Sequence, residues 1–392
     1  MKTLFKNAKL ILEDRIEENY ALLIENDRIL AYGSDTLFLD QYDLIIDVKN
    51  QFISPGFIDL HVHGGGGADF MDRDINKFKT ITQAHAKHGM TACLATTLAS
   101  PNEEVFELLE NCPKEYENLD GARILGVHLE GPYFSMEQRG AQDPIYIKVP
   151  QIDEVKEFLK YKDKIKRWSM AVELENMEKV IPFVSQNNIL VSLAHTSATA
   201  QEVIKSEEWG VSLATHFYSG MGSIYRIKGL RAAGAVEGVY LSKSMVAEII
   251  ADGKHLPKEV IQMVYKFLGV KRVILTTDAM RAAGTDHKVS ILGSLEKGQA
   301  VIIKDDVAKL PDETSLAGSI ATMDRLLRTV LEAGISLVDG VNSISLLPAK
   351  LIHVDDRYGR IEPNYKADFV IFDDNIKIIS TYINGKCIYQ NV

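Results

Sequence analysis

The histidines and carboxylates are spaced for chemistry. His61-Val62-His63 is an H-x-H pair. Residues two apart on a strand share a face, so both imidazoles can reach one point. His128-Leu129-Glu130 brings a carboxylate, and His195, His216, Asp252, His255 and Asp278 each stand at or just past a short apolar run. Imidazoles and a carboxylate converging on one mouth are ligands for a divalent ion. Zinc comes first, with iron, manganese or cobalt open. Such an ion, at one position or two, lowers the pKa of bound water towards neutrality. A further carboxylate must then take the water's proton and pass it to a leaving group. Asp278 is the free candidate.

These residues need elements to bring them together. Strand-like runs cover residues 57–61, 91–95, 124–129, 168–172, 190–194, 211–215, 245–251 and 272–276. Helical stretches separate several of them, as at 103–109 and 256–268. Eight β-α units over residues 55–354 are the size of a (β/α)8 TIM barrel domain, in which catalytic groups project from the C-terminal ends of the strands. A doubly wound open sheet is the structural competitor, but the glycine fingerprint that usually opens one is absent. Residues 1–54 and 355–392 read as short strands with turn signals, Asn384-Gly385 among them. They are expected to build one small β-sandwich domain from both chain ends, giving an α/β protein of two parts; two unrelated terminal hairpins are the alternative.

Six of the ten histidines fall at or just beyond the expected strand ends, which scattered placement would not produce. Each residue alone has a plainer reading. Glu130 could be a buried ion-pair partner, and His195 or His216 a core histidine. Residues 64–67, four glycines, form a flexible loop rather than a phosphate cradle, since no lysine-serine follows. Joint placement favours the metal set.

Composition narrows the class. The chain has 392 residues, 46% of them hydrophobic and 25% charged, which fits a globular protein with a large core. A net charge of −10 repels a phosphate backbone, so nucleic acid is not an expected partner. Three cysteines without a C-x-x-C make neither a disulfide framework nor a cysteine zinc site. Residues 1–15 lack the apolar core and cleavage site of a signal peptide, and no apolar run reaches membrane-spanning length. A cytoplasmic protein without a membrane partner is expected.

The motifs resemble the amidohydrolase superfamily, and within it the N-acetylglucosamine-6-phosphate deacetylase family. The likeness spans nearly the whole chain. It rests on Pro-Gly-Phe-Ile-Asp-Leu-His-Val-His at 55–63, His-Leu-Glu-Gly-Pro at 128–132, Ala-His-Thr at 194–196 and Thr-His at 215–216. Ile-Ala-Asp-Gly-Lys-His at 250–255, Thr-Thr-Asp-Ala-Met at 276–280 and Leu-Ala-Gly-Ser at 316–319 complete it. Many amidohydrolases carry a carboxylated lysine at the end of strand four. Here that strand runs to Glu173 and its lysines lie at the other end, so the bridging carboxylate falls to Glu130.

The resemblance implies roles. Glu130, His195 and His216 hold the main ion. His61 and His63 hold a second one in binuclear members, with Asp278 adjoining. His255 contacts the sugar, Leu316 belongs to the substrate site, and Arg226 crosses a homodimer interface to the substrate phosphate. The chain departs from the family in three places. Gln142 stands where a histidine near the acetyl carbonyl is usual, and its amide could still donate a hydrogen bond. Ser219-Gly220 replaces Asn-Ala beside the phosphate. The segment around Arg226 lacks the usual His-Arg-Glu-Pro. The expected reaction is hydrolysis of the N-acetyl group of N-acetylglucosamine-6-phosphate to acetate and glucosamine-6-phosphate. N-acetylgalactosamine-6-phosphate is the alternative substrate, and a non-catalytic barrel the alternative class.

Overall fold

A computed structural model describes residues 1–38, 42–112 and 120–391. Eight parallel strands follow one another in chain order around a barrel: β1 (Phe57–Val62), β2 (Met90–Thr96), β3 (Arg123–Glu130), β4 (Ile165–Met170), β5 (Leu190–Leu193), β6 (Val211–Ala214), β7 (Val246–Ile249) and β8 (Val273–Leu275). Each overlaps one of the eight runs read from the sequence. A parallel bridge from Val62 to Ala279 joins the first strand to the end of the last and nearly closes the ring.

Helices pack outside the barrel because their apolar faces repeat at the helical spacing. In Lys258–Leu268, Ile261, Val264, Tyr265 and Leu268 are buried. Inside, the floor is apolar: Ile58, Leu60, Leu94, Leu125, Leu213 and Ile274 form one cluster with Ala349, Ile352 and Tyr358. Above it lies a polar layer containing His128, Arg167, Ser169, Ser192, Thr215 and Glu248, all fully buried. The strand ends lie above that layer.

Both chain ends meet in a second sheet of eight strands. Strand Phe52–Pro55 runs parallel to Lys2–Ile11 on one side and antiparallel to Phe369–Phe372 on the other. The terminal segments thus form one hydrogen-bonded sheet rather than separate hairpins, and its strands are mixed in direction. Phe52–Pro55 leads through Gly56 straight into β1. Arg123 on β3 pairs with Asp368 and donates to Asn384 Oδ1 at 2.8 Å, tying the sheet to the barrel.

Candidate active site

Glu130 ends β3 and is buried. His195 and His216 come two residues after β5 and β6 respectively, and Asp278 three residues after β8. All three have left-handed backbones, with φ of +43°, +29° and +48°. That conformation costs an L-residue energy and is held only where the surroundings enforce it. Here hydrogen bonds do so: Asp278 N–H donates to the His61 carbonyl at 2.9 Å, and Thr196 N–H to the Gly220 carbonyl at 2.9 Å.

The side chains converge. His195 Nε2 lies 3.3 Å and His216 Nε2 3.2 Å from Glu130 Oε1. His63 Nε2 is 3.3 Å from Glu130 Oε2, and His61 Nε2 is 3.5 Å from Oε1. Glu130 therefore faces two imidazole pairs at once. Asp278 Oδ1 lies 3.3 Å from His61 Nε2 and 3.2 Å from His63 Nε2. Two sets, His61–His63–Glu130 and Glu130–His195–His216, each have ligand atoms close enough to hold an ion.

The chemistry of these donors tests that reading. His195 Nδ1 donates to the Gln138 carbonyl at 2.8 Å, and His216 Nδ1 to the Ser219 carbonyl at 3.1 Å. A carbonyl can only accept, so each neutral ring carries its proton on Nδ1 and a lone pair on Nε2. The two Nε2 atoms are 3.2 Å apart and both face a carboxylate oxygen. Lone pairs facing one another repel unless a cation lies between them, and carbonyl-held imidazoles are the usual setting of histidine ligands. The donor set fits a divalent ion, one per triad, with Glu130 shared.

Charge within the cluster is displaced accordingly. Burial works against a charged His61, but Asp278 and Glu130 outweigh it and push the ring up to about 9. His63 is treated alike and rises to about 10. Burial opposes ionisation of Glu130, yet the charge of His61, with the imidazoles of His195 and His216 beside it, holds its carboxyl well below the usual range. Asp278 is also buried, and His61 and His63 hold it low. Both carboxylates are thus kept as anions, the form that binds a cation or accepts a proton.

A cavity of about 240 Å³ opens over this cluster. Gln142, Ser219, Gly220, His255 and Leu316 line it together with His63, Glu130, His195, His216 and Asp278. His255 Nδ1 is held by Asp252 Oδ2 at 2.9 Å, leaving Nε2 for a ligand. Gln142 is more committed than the sequence suggested. Its Nε2 donates to Glu130 Oε2 at 2.8 Å, and its Oε1 accepts from Ala99 N–H at 2.9 Å. One amide hydrogen is left for a substrate. Arg226 does not line the cavity of its own chain: it stands exposed on the hairpin Tyr225–Ile227/Leu230–Ala232. Among the described residues, no lysine or arginine lines the cavity.

Sequence reasoning missed the layer beneath. Asp59 accepts from Thr276 Oγ1 and Thr277 Oγ1, each at 2.5 Å, and from His61 N–H at 3.1 Å. It therefore sets β1 against the segment leading to Asp278. Burial raises its carboxyl to about 6. Arg167 and Glu248 form a buried ion pair under the histidines. Asp59 lies within the Pro-Gly-Phe-Ile-Asp motif, which was a usable signal. Arg167 and Glu248 carried none.

Comparison with known proteins agrees with this geometry. The amidohydrolase family profile matches residues 52–388. An N-acetylglucosamine-6-phosphate deacetylase from Lysinibacillus sphaericus is 31% identical over 87% of this chain and 86% of its own length. The chain belongs to the amidohydrolase family, on its N-acetylglucosamine-6-phosphate deacetylase branch. A crystal structure of the Pasteurella multocida N-acetylglucosamine-6-phosphate deacetylase superposes on this amidohydrolase with a TM-score of 0.91, at 29% identity and complete coverage of both chains. An N-acetylgalactosamine-6-phosphate deacetylase from Escherichia coli O157:H7 is 28% identical over 98% of this chain and 99% of its own. This amidohydrolase is an enzyme, so the non-catalytic barrel falls away. Among the described residues, no helix is long and apolar enough to cross a membrane.

Proposed function

We propose that this amidohydrolase removes the acetyl group from N-acetylglucosamine-6-phosphate. The observation that carries the reading is a cluster beneath one cavity, in which Glu130 faces four imidazole Nε2 atoms with Asp278 beside them. Glu130, His195 and His216 would hold one divalent ion, and His61 and His63 with Glu130 a second. When bound, the ion supplies Lewis acidity towards a water and the acetyl oxygen.

The chain's own residues do the rest. Asp278 Oδ1, beside the H-x-H pair, accepts a proton from the attacking water as that water's oxygen bonds to the acetyl carbon. The same carboxyl then returns that proton to the sugar nitrogen as the C–N bond breaks. The second proton of the water also ends on the amine, so acetate and the ammonium form of the amino sugar leave with one water consumed. The amide hydrogen of Gln142 not used on Glu130 can support the carbonyl oxygen. His255 Nε2, left open by the contact of Nδ1 with Asp252, would bind a sugar hydroxyl.

The phosphate needs a positive charge that the cavity of one chain lacks among its described residues. Arg226, exposed on its hairpin, fits that need if a second copy presents it, and its forked guanidinium matches phosphate oxygens. A homodimer follows from this reading. Zinc is the ion proposed, since nitrogen and carboxylate ligands in a small set suit it.

The galacto epimer is the second reading. An N-acetylgalactosamine-6-phosphate deacetylase matches this chain at nearly the same identity as the gluco enzymes, and Ser219-Gly220 alters the wall nearest the expected phosphate. Acetate release from N-acetylglucosamine-6-phosphate, its galacto epimer and unphosphorylated N-acetylglucosamine tests both. Fastest turnover on the first supports the proposal. Preference for the epimer moves the assignment to it, and indifference to phosphate removes the role of Arg226.

A further inference from the structure

A buried ion pair lies beneath both ligand sets, and the hydrolytic reading does not use it. Glu248 on β7 and Arg167 on β4 are fully buried. Arg167 spends its guanidinium on Glu248, on Thr215 Oγ1 at 2.9 Å, on Ser192 Oγ at 3.1 Å and on the Leu60 carbonyl at 3.2 Å. Glu248 Oε1 accepts from Arg167 Nη2 at 2.9 Å, from His61 Nδ1 at 3.3 Å and from the His216 N–H at 3.2 Å. The Glu248 carbonyl accepts from Phe217 N–H at 2.6 Å. One residue therefore holds the imidazole of one ligand set and the backbone of the other.

Both contacts have something to hold. The His216 backbone has φ of +29°, which an L-residue keeps only under restraint. A carboxylate on the far nitrogen of His61 puts the proton on Nδ1, frees the lone pair of Nε2 and makes it a better donor to a cation. His63 is the contrast, since among the described residues its buried Nδ1 has no hydrogen-bond partner. Stability alone does not account for the pair. Buried ion pairs are often replaced by apolar residues of similar volume without loss.

We infer that Glu248, with its charge balanced by Arg167, is a positioning residue that aims His61 and the His216 turn at the divalent ion. The inference rests on reading the two triads as metal sites. Its test is therefore a binding measurement. Wild-type protein and the R167M/E248M double variant are stripped of metal, titrated with Co²⁺ and followed by the visible ligand-field bands, with Tm recorded for each. The double variant is expected to fold, with Tm unchanged or raised. Its Co²⁺ affinity is expected to fall about 10–100-fold with a changed band shape. E248Q keeps the volume but presents an N–H2 to one set of donors, and it is expected to lose affinity in the same way even if the double variant fails to fold. A folded variant that binds Co²⁺ like wild type overturns the inference and leaves the metal sites standing. A wild-type protein that takes up no Co²⁺ overturns both.

Discussion

Asp278 Oδ1 stands 3.2 Å from His63 Nε2, so the carboxylate proposed to carry the proton shares its site with the H-x-H pair. Replacing it should leave the other ligands in place. Asp278→Asn is expected to bind metal and to fold, with kcat lower by about 10²–10⁴-fold, the range of a lost general acid–base. Steady-state acetate release beside metal analysis checks this. Near-normal turnover removes the role.

Metal removal gives a second prediction. A chelator should abolish acetate release, and added Zn²⁺, Mn²⁺, Fe²⁺ or Co²⁺ should restore it. His61→Ala with His63→Ala should lower the bound metal from two ions to one, because His195, His216 and Glu130 form their set without them. Elemental analysis decides. An unchanged stoichiometry in that variant means the H-x-H pair holds no ion.

Gly220 makes a steric prediction. Its φ is +61°, and a Cβ added there would lie 2.8 Å from His195 Nδ1. Gly220→Ala is expected to lose about 1–2 kcal/mol of stability from the left-handed backbone. It should also push the imidazole off the Gln138 carbonyl and weaken metal binding. Thermal denaturation and metal titration are the measurements, and wild-type values in both refute the contact.

Arg226 makes a prediction specific to the phosphate. Arg226→Ala should raise KM for the phosphorylated sugar about 10–100-fold, the worth of a charged hydrogen bond, with kcat little changed. KM for the unphosphorylated sugar should stay as it was. Equal effects on both substrates would remove the phosphate contact.

Away from the site, Asp324 predicts a pH dependence. It is buried, and His88 Nδ1 lies 3.1 Å from its Oδ1. Burial alone would raise its carboxyl, but the hydrogen bond and charge of His88, with Thr322 and Arg328, bring it down to about 2. A lowered folded pKa stabilises the protein above the unfolded value near 4, and that stability is lost as pH falls from 4 to 2. Asp324→Asn should therefore cost about 2 kcal/mol at pH 7, and the gap in Tm should shrink as pH falls below about 4 and close near pH 2. A constant gap across that range would contradict the shift.

The architecture and the residues that gather at the barrel mouth were legible in the sequence for one reason. Strands in a (β/α)8 barrel all point the same way, so the residue that ends each run arrives at the same mouth. Glu130, His195, His216 and Asp278 could be placed together without any distance, and the strand boundaries needed correcting by only a few residues. The sequence also determined that both chain ends are β-rich. That they join in one sheet through Phe52–Pro55 depends on pairing partners more than 300 residues apart. Only the tertiary structure decided what lies across the barrel axis. Arg167 and Glu248 are 81 residues apart, on strands that are not neighbours, and neither ends its strand. The commitment of Gln142 to Glu130 was equally out of reach. Periodicity reports which face a residue takes, whereas a hydrogen bond depends on which other face closes over it.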